Sequence, residues 1–163
     1  MKRLVSLVLL AALLAGCGAQ QTFETVADEY LLPVANTRRE VSLVLPEEAN
    51  VQAMQDTEGG TLYLCDAYTL TVQTVESGSL SRTLLGATGF SEDDLQVMSS
   101  RQGDNKRYEA VWTAAGEGEP QIGRVCILDD GSYHYVLTVL GDAETAGDYE
   151  TVWREIFDAF SLS

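Results

Sequence analysis

The segment GDYETVWREIFDAFSLS, residues 147–163, constrains the fold more than any other part of the chain. Tyr149, Val152, Trp153, Ile156, Phe157 and Phe160 recur at i, i+3, i+4, i+7, i+8 and i+11, one apolar stripe along a helix. Four of these six are aromatic. Full burial of side chains this large contributes about 1.5–3 kcal/mol each, so the helix needs a broad apolar surface to cover. The preceding hundred or so residues supply such a surface as β-structure.

REVSLVLP, residues 39–46, alternates Val41, Leu43 and Leu45 against Glu40, Ser42 and Val44 and stops at Pro46, a strand signature. EEANVQAMQDTEGG reads as a loop broken at Gly59-Gly60. TLYLC and YTLTVQTVE, rich in Thr, Tyr, Leu and Val, are two further strands. At SGSLSRTLLGATG the period changes. Leu80, Leu84 and Ala87 have helical spacing, Ser77 or Ser79 caps the first turn and Gly89 ends the last. Ser91-Glu92-Asp93-Asp94 is a capped single turn. The chain then runs as an antiparallel meander through LQVMSS, RYEAVWTA, QIGRVCIL and SYHYVLTVL. A two-residue Asp130-Gly131 loop of type I′ sets Leu128 opposite Tyr133 and Cys126 opposite Tyr135. One face then holds Cys126, Leu128, Tyr133, Tyr135 and Leu137. The other holds Val125, Ile127, His134, Val136 and Thr138. Both are apolar enough to need a cover.

The other end of the chain concerns location. Lys2 and Arg3 precede Leu4–Leu14, a run without charge that is shorter than the ~20 residues needed to span a bilayer. Cationic start, short apolar stretch and small residues form a secretory signal. Leu14-Ala15-Gly16-Cys17 resembles the lipobox of bacterial lipoproteins. The resemblance implies cleavage after residue 16 and fatty acylation (palmitate among the acyl groups) of the Cys17 thiol. More than one chain anchors stably, because each buried CH₂ contributes about 0.8 kcal/mol. The expected location is the extracytoplasmic face of the cell membrane, with 17–37 as lipidated N-terminus and leader and 38–163 as a single domain.

Loss of the signal leaves 8 basic against 25 acidic residues, a net charge of −17. Such a surface repels phosphate backbones, which argues against nucleic acid as a partner. At 45% hydrophobic residues the chain has the material for a packed core.

With Cys17 assigned to lipid, Cys65 and Cys126 remain. A disulfide between them and a pair of free thiols both suit an extracytoplasmic domain. Two cysteines 61 positions apart and one histidine fall short of a four-ligand metal set, and no cofactor motif is present. His134 lies mid-strand among Val125, Ile127 and Val136, where a structural role is expected. Serine occurs in no G-x-S-x-G setting. The adjacent acids Glu47-Glu48, Glu92-Asp93-Asp94 and Asp129-Asp130 have neither glycosidase nor calcium-loop spacing and read as solvated turns. A candidate binding face is left in the sheet aromatics Tyr108, Trp112, Tyr133 and Tyr135.

The β-rich middle, the late hairpin LDDGSYHYVLTV and the closing helix with Trp153, Ile156, Phe157 and Ala-Phe-Ser-Leu together resemble the PsbP-like fold. This is an α+β fold in which an antiparallel sheet is sandwiched by helices. It occurs in a photosystem subunit, a Ran-binding nuclear import factor and many bacterial lipoproteins. The resemblance covers roughly residue 39 to the end and implies a noncatalytic binding or assembly accessory of an envelope complex, with an envelope protein as partner. A small hydrolase-like envelope enzyme and a ligand-binding lipoprotein are the competing readings.

Overall fold

The computed structural model describes residues 37–45, 53–57 (backbone only), 60–114 and 118–163. The signal, Cys17, most of the leader and Glu47-Glu48 lie outside the described residues.

β-Branched and aromatic side chains build a seven-stranded sheet in which every pairing is antiparallel. β1 (Val41–Ser42) is separate. β2 (Ala53–Thr57), β3 (Gly60–Leu64) and β4 (Tyr68–Glu76) form one meander; β5 (Met98–Gln102), β6 (Asn105–Ala114), β7 (Gln121–Asp129) and β8 (Tyr133–Asp142) form another. The second returns to the first through β4–β8, giving the order β2-β3-β4-β8-β7-β6-β5. Helix α1 (Leu80–Thr88) lies in the crossover and α2 (Ala146–Ala159) follows β8. The last strand, β9 (Ser161–Leu162), pairs with β1 in a small sheet of its own.

The two helices cover opposite faces, as the two apolar faces of the meander require. Leu84 of α1 packs with Ala110, Trp112, Val125, Ile127 and Val136. Trp153, Ile156 and Phe157 of α2, with Phe160 just beyond it, pack on Leu70, Cys126, Leu128, Tyr135, Leu137 and Val139. Gly89 closes α1 with φ 79° and its N–H donates to the Leu85 carbonyl at 2.9 Å. No serine side chain caps the first turn.

Three expectations are corrected. Residues 53–57, read as loop, form β2 along the outer edge of β3, with Met54 opposite Tyr63. Ala, Gln and Asp are weak strand formers, so the pairing partner decides this conformation. The strand expected over 40–45 shrinks to Val41–Ser42 and joins β9. The β7–β8 loop consists of Gly131-Ser132, not Asp130-Gly131: Asp129 faces His134, Leu128 faces Tyr135 and Cys126 faces Leu137. Gly131 has φ 90° and among the described residues no other residue type has positive φ, as in a type II′ turn with glycine first. The register moves by two residues, an even shift, so both facial sets survive it.

Cys65 and Cys126 are free thiols. Strands β4 and β8 stand between the end of β3, where Cys65 lies, and β7, which carries Cys126. Three interstrand steps at ~4.8 Å exceed the Cα separation a disulfide tolerates. Burial pushes the Cys126 thiol up to about 12; burial also raises the half-exposed Cys65, which lies against the Tyr68 hydroxyl. Native alkylation is expected to spare Cys126 and to label Cys65 slowly, with both labelled in denaturant. Rapid labelling of Cys126 in the folded protein would contradict its burial.

Candidate functional site

Ladder partners share a face, and the ladders separate the four aromatics of the expected binding face. Tyr108 aligns with Ile127 and Val136, and Trp112 with Gly123, on the α1 side. Tyr135 aligns with Leu128 and Arg107 on the α2 side, together with Tyr133. Trp112, Tyr133 and Tyr135 are buried, and Tyr108 is half-buried. These four aromatics therefore do not form one exposed face. Tyr135 serves structure: its hydroxyl accepts the Arg39 N–H at 2.8 Å and donates to Asp130 Oδ2 at 3.0 Å.

His134 is buried, as expected, but its neighbours are more polar than the sequence suggests. Thr83 Oγ1 lies 2.7 Å from Nδ1, Ser77 Oγ 3.4 Å from Nε2, and Asp129 Oδ1 3.9 Å from Nε2. Ser77 also donates to Asp129 Oδ1 at 3.3 Å. The natural assignment is a chain: Thr83 donates to Nδ1, Nε2–H to Ser77, and Ser77 to Asp129. This chain ties α1 to the β7–β8 hairpin and uses both ring nitrogens. A cleft of about 360 Å³ opens beside it, lined by Gln73, Ser77, Ser79, Arg82 and Thr83, but His134 itself does not line it.

Burial lowers the His134 pKa and outweighs the opposing pull of Asp129 and Asp130. A group depressed in the folded state contributes stability that is complete above its unfolded pKa, near 6.5, and lost as pH falls. Chemical denaturation is expected to show declining stability below about pH 6.5, with that component missing in His134→Gln. An identical pH slope in the variant would exclude His134 as the source.

On the opposite face, α2 leaves the β5–β7 end of the sheet partly bare. Here a groove of about 360 Å³ runs between the first turns of α2 and the sheet, lined by Met98, Val111, Ile122, Ala146 and Trp153. Met98 is 62% and Val111 51% exposed. The buried indole N–H of Trp153 has no hydrogen-bond partner among the described residues. Arg124 and Glu109 meet in the groove at 2.9 Å, and Glu109 is also held by Arg107 at 3.2 Å. Burial alone would raise Glu109, but hydrogen bonds from the two guanidiniums overcome it and hold the carboxyl below its usual range. Arg124 in turn stacks over Phe157, 4.3 Å from the ring centroid. This constellation has a docking surface's parts: apolar area, a rigid aromatic wall and a fixed ion pair.

No family model matches the chain, and no curated protein matches it. Solved structures share its fold. LpqN of Mycobacterium tuberculosis, involved in cell envelope biogenesis, superposes with a TM-score of 0.52 at 9% identity, covering 82% of this chain and 87% of that one. A Bacteroides thetaiotaomicron protein gives 0.51 at 13% identity, covering 76% of this chain and 45% of the other, so this chain spans less than half of that structure. The yeast Ran-binding protein Mog1p gives 0.48 at 11% identity over 75% and 89%. At these identities the likeness to the first two shows the fold alone, an antiparallel sheet with a C-terminal helix packed on it.

Among the described residues no helix is long and apolar enough to cross a membrane, and no three His, Cys, Asp or Glu side chains converge on a metal position. The groove was invisible in sequence because Met98, Val111 and Ile122 come from three strands.

Proposed function

We propose that this chain is a lipid-anchored, noncatalytic binding or assembly subunit of the cell envelope, of the PsbP-like kind. Cys17 holds it at the extracytoplasmic face of the membrane, and the groove between α2 and β5–β7 receives a protein partner. The observation that carries the reading is the joint exposure of Met98 and Val111 beside Trp153. Large apolar side chains grouped at a concave rim mark recognition surfaces. The sheet between two helices supports the PsbP-like assignment. The envelope setting is supported by the lipobox Leu14–Cys17 and by LpqN, a protein of the same fold involved in cell envelope biogenesis. The noncatalytic reading is supported by the burial of His134, which does not line the neighbouring cleft.

A photo-crosslinking side chain placed at Val111 in intact envelopes is expected to trap one discrete protein, and Met98→Asp to abolish the product. Repeated failure to trap any protein would refute the reading. Cys17→Ser is expected to abolish fatty-acid labelling; labelling unchanged in that variant would refute the anchor.

A further inference from the structure

We propose that β5 is a docking edge for an extended segment of the partner protein, one that alternates apolar and acidic side chains. This deepens the reading of the domain as a binding subunit and rests on it.

β5 ends the sheet and pairs with β6 alone among the described residues. Met98 to Arg101 are exposed, and Gln102 is half-buried. The strand has an ordinary length, continuous pairing from Met98–Glu109 to Gln102–Asn105, no bulge and no proline. Devices that commonly blunt a sheet edge are thus missing apart from one cation, Arg101. Its hairpin closes through Gly103-Asp104, with Gly103 at φ 61°. In a hairpin with a two-residue loop the flanking pair, Gln102 and Asn105, exchanges both ladder bonds, and the pairs alternate from there. Ser99 and Arg101 therefore turn their backbone N–H and C=O groups away from β6, toward an incoming strand.

The side chains bordering this edge select the newcomer's composition. On the α1 face Arg101 stands directly opposite Lys106, two cations side by side in a domain with 8 basic and 22 acidic residues. Like charges in that position disfavour the fold and call for an anion nearby. Lys106 reaches Asp129 only at 3.9 Å and stays 58% exposed, and among the described residues Arg101 has no ion pair. On the α2 face Met98 is exposed at the mouth of the groove with Val111. Side chains of a strand added to β5 alternate between these faces, about 4.5–5.5 Å from their cross-strand partners. The residue level with Arg101 meets two cations. Its neighbour in sequence meets the Met98 side. A second copy of the chain fits less well: antiparallel self-pairing about Ser100 brings Ser99 to Arg101 and Met98 to Gln102, with no acid for the cations.

The test uses the full chain in detergent and a fluorescent ten-residue peptide alternating valine and glutamate, with a valine/lysine peptide as control. Anisotropy is expected to show saturable, salt-sensitive binding of the glutamate peptide, with hydrogen exchange slowed over residues 98–102. Ser99→Pro removes an outward N–H without touching the β6 ladder and is expected to abolish binding. Arg101→Glu, an exposed change that leaves the fold intact, is expected to weaken the glutamate peptide at least tenfold and to strengthen the lysine peptide. Binding indifferent to both substitutions, protection elsewhere, or no binding at millimolar peptide overturns the proposal. So does a concentration-dependent dimer that itself protects 98–102. Such a failure leaves the binding-subunit reading to the Val111 crosslink, which uses the groove and not the edge.

Discussion

Phe157→Ala is expected to destabilise the domain by about 3–5 kcal/mol, measured as the shift in denaturant midpoint at constant slope. Phe157 is fully buried between α2 and the sheet. Its ring carries the Arg124 guanidinium at 4.3 Å, and its carbonyl accepts Arg107 Nη2 at 2.9 Å. Truncation thus opens a cavity in the main core and removes the platform on which one wall of the groove rests. The control is Val111→Ala, at an exposed site, for which a change within about 0.5 kcal/mol is expected. Comparable losses in both variants would show that α2 is not the principal cover of this face.

Glu109→Ala is expected to cost about 3–5 kcal/mol, the range for removing one partner of a buried ion pair. Arg107 and Glu109 keep only 10% and 19% of their side-chain surface, so the guanidinium left behind has little water to turn to. It retains Gln102 Oε1 at 2.9 Å and the Phe157 carbonyl, which places the loss toward the lower end. Glu109→Gln keeps an acceptor and is expected to lose less. Replacing Arg107 and Glu109 together by Met and Leu is expected to recover most of the stability, because the deeply buried guanidinium is then not stranded and Arg124, which also loses Glu109, keeps 27% of its side-chain surface in water. The carboxyl is held below its ordinary pKa, so its contribution is complete above about pH 4.5 and is lost as pH falls through the lowered folded value. Asp130, where burial is outweighed by the Ser132 and Tyr133 N–H groups and the Tyr135 hydroxyl, acts in the same direction. Acid lability is therefore expected in two stages, His134 first and these carboxyls below it. A variant lacking Glu109 should lose part of the lower stage.

These effects separate what was readable along the chain from what was not. The stripe ending in Trp153, Ile156, Phe157 and Phe160 announced α2 and its buried face, because helical period and side-chain size are local properties. The facial sets of β7 and β8 were equally legible. Strand parity has a period of two, and the two-residue error in register did not disturb it. Glu109 and Arg107, by contrast, looked like ordinary polar strand residues. Their burial depends on α2 folding back from fifty residues away.

By itself the sequence determined the antiparallel meander, both helices, the two apolar faces and the polarity of the chain from cationic N-terminus to acidic domain, since each follows from spacing and composition over a few residues. Tertiary structure alone decided the rest, because it depends on which strands become neighbours. It recruited residues 53–57 into the sheet and kept Cys65 three strands from Cys126. It laid Trp112 so closely over Gly123 that a β-carbon there would collide with the ring. It sent four aromatics that share a type to opposite sides of one sheet, and it gathered Met98, Val111, Ile122 and Trp153 around a groove that no short stretch of sequence contains.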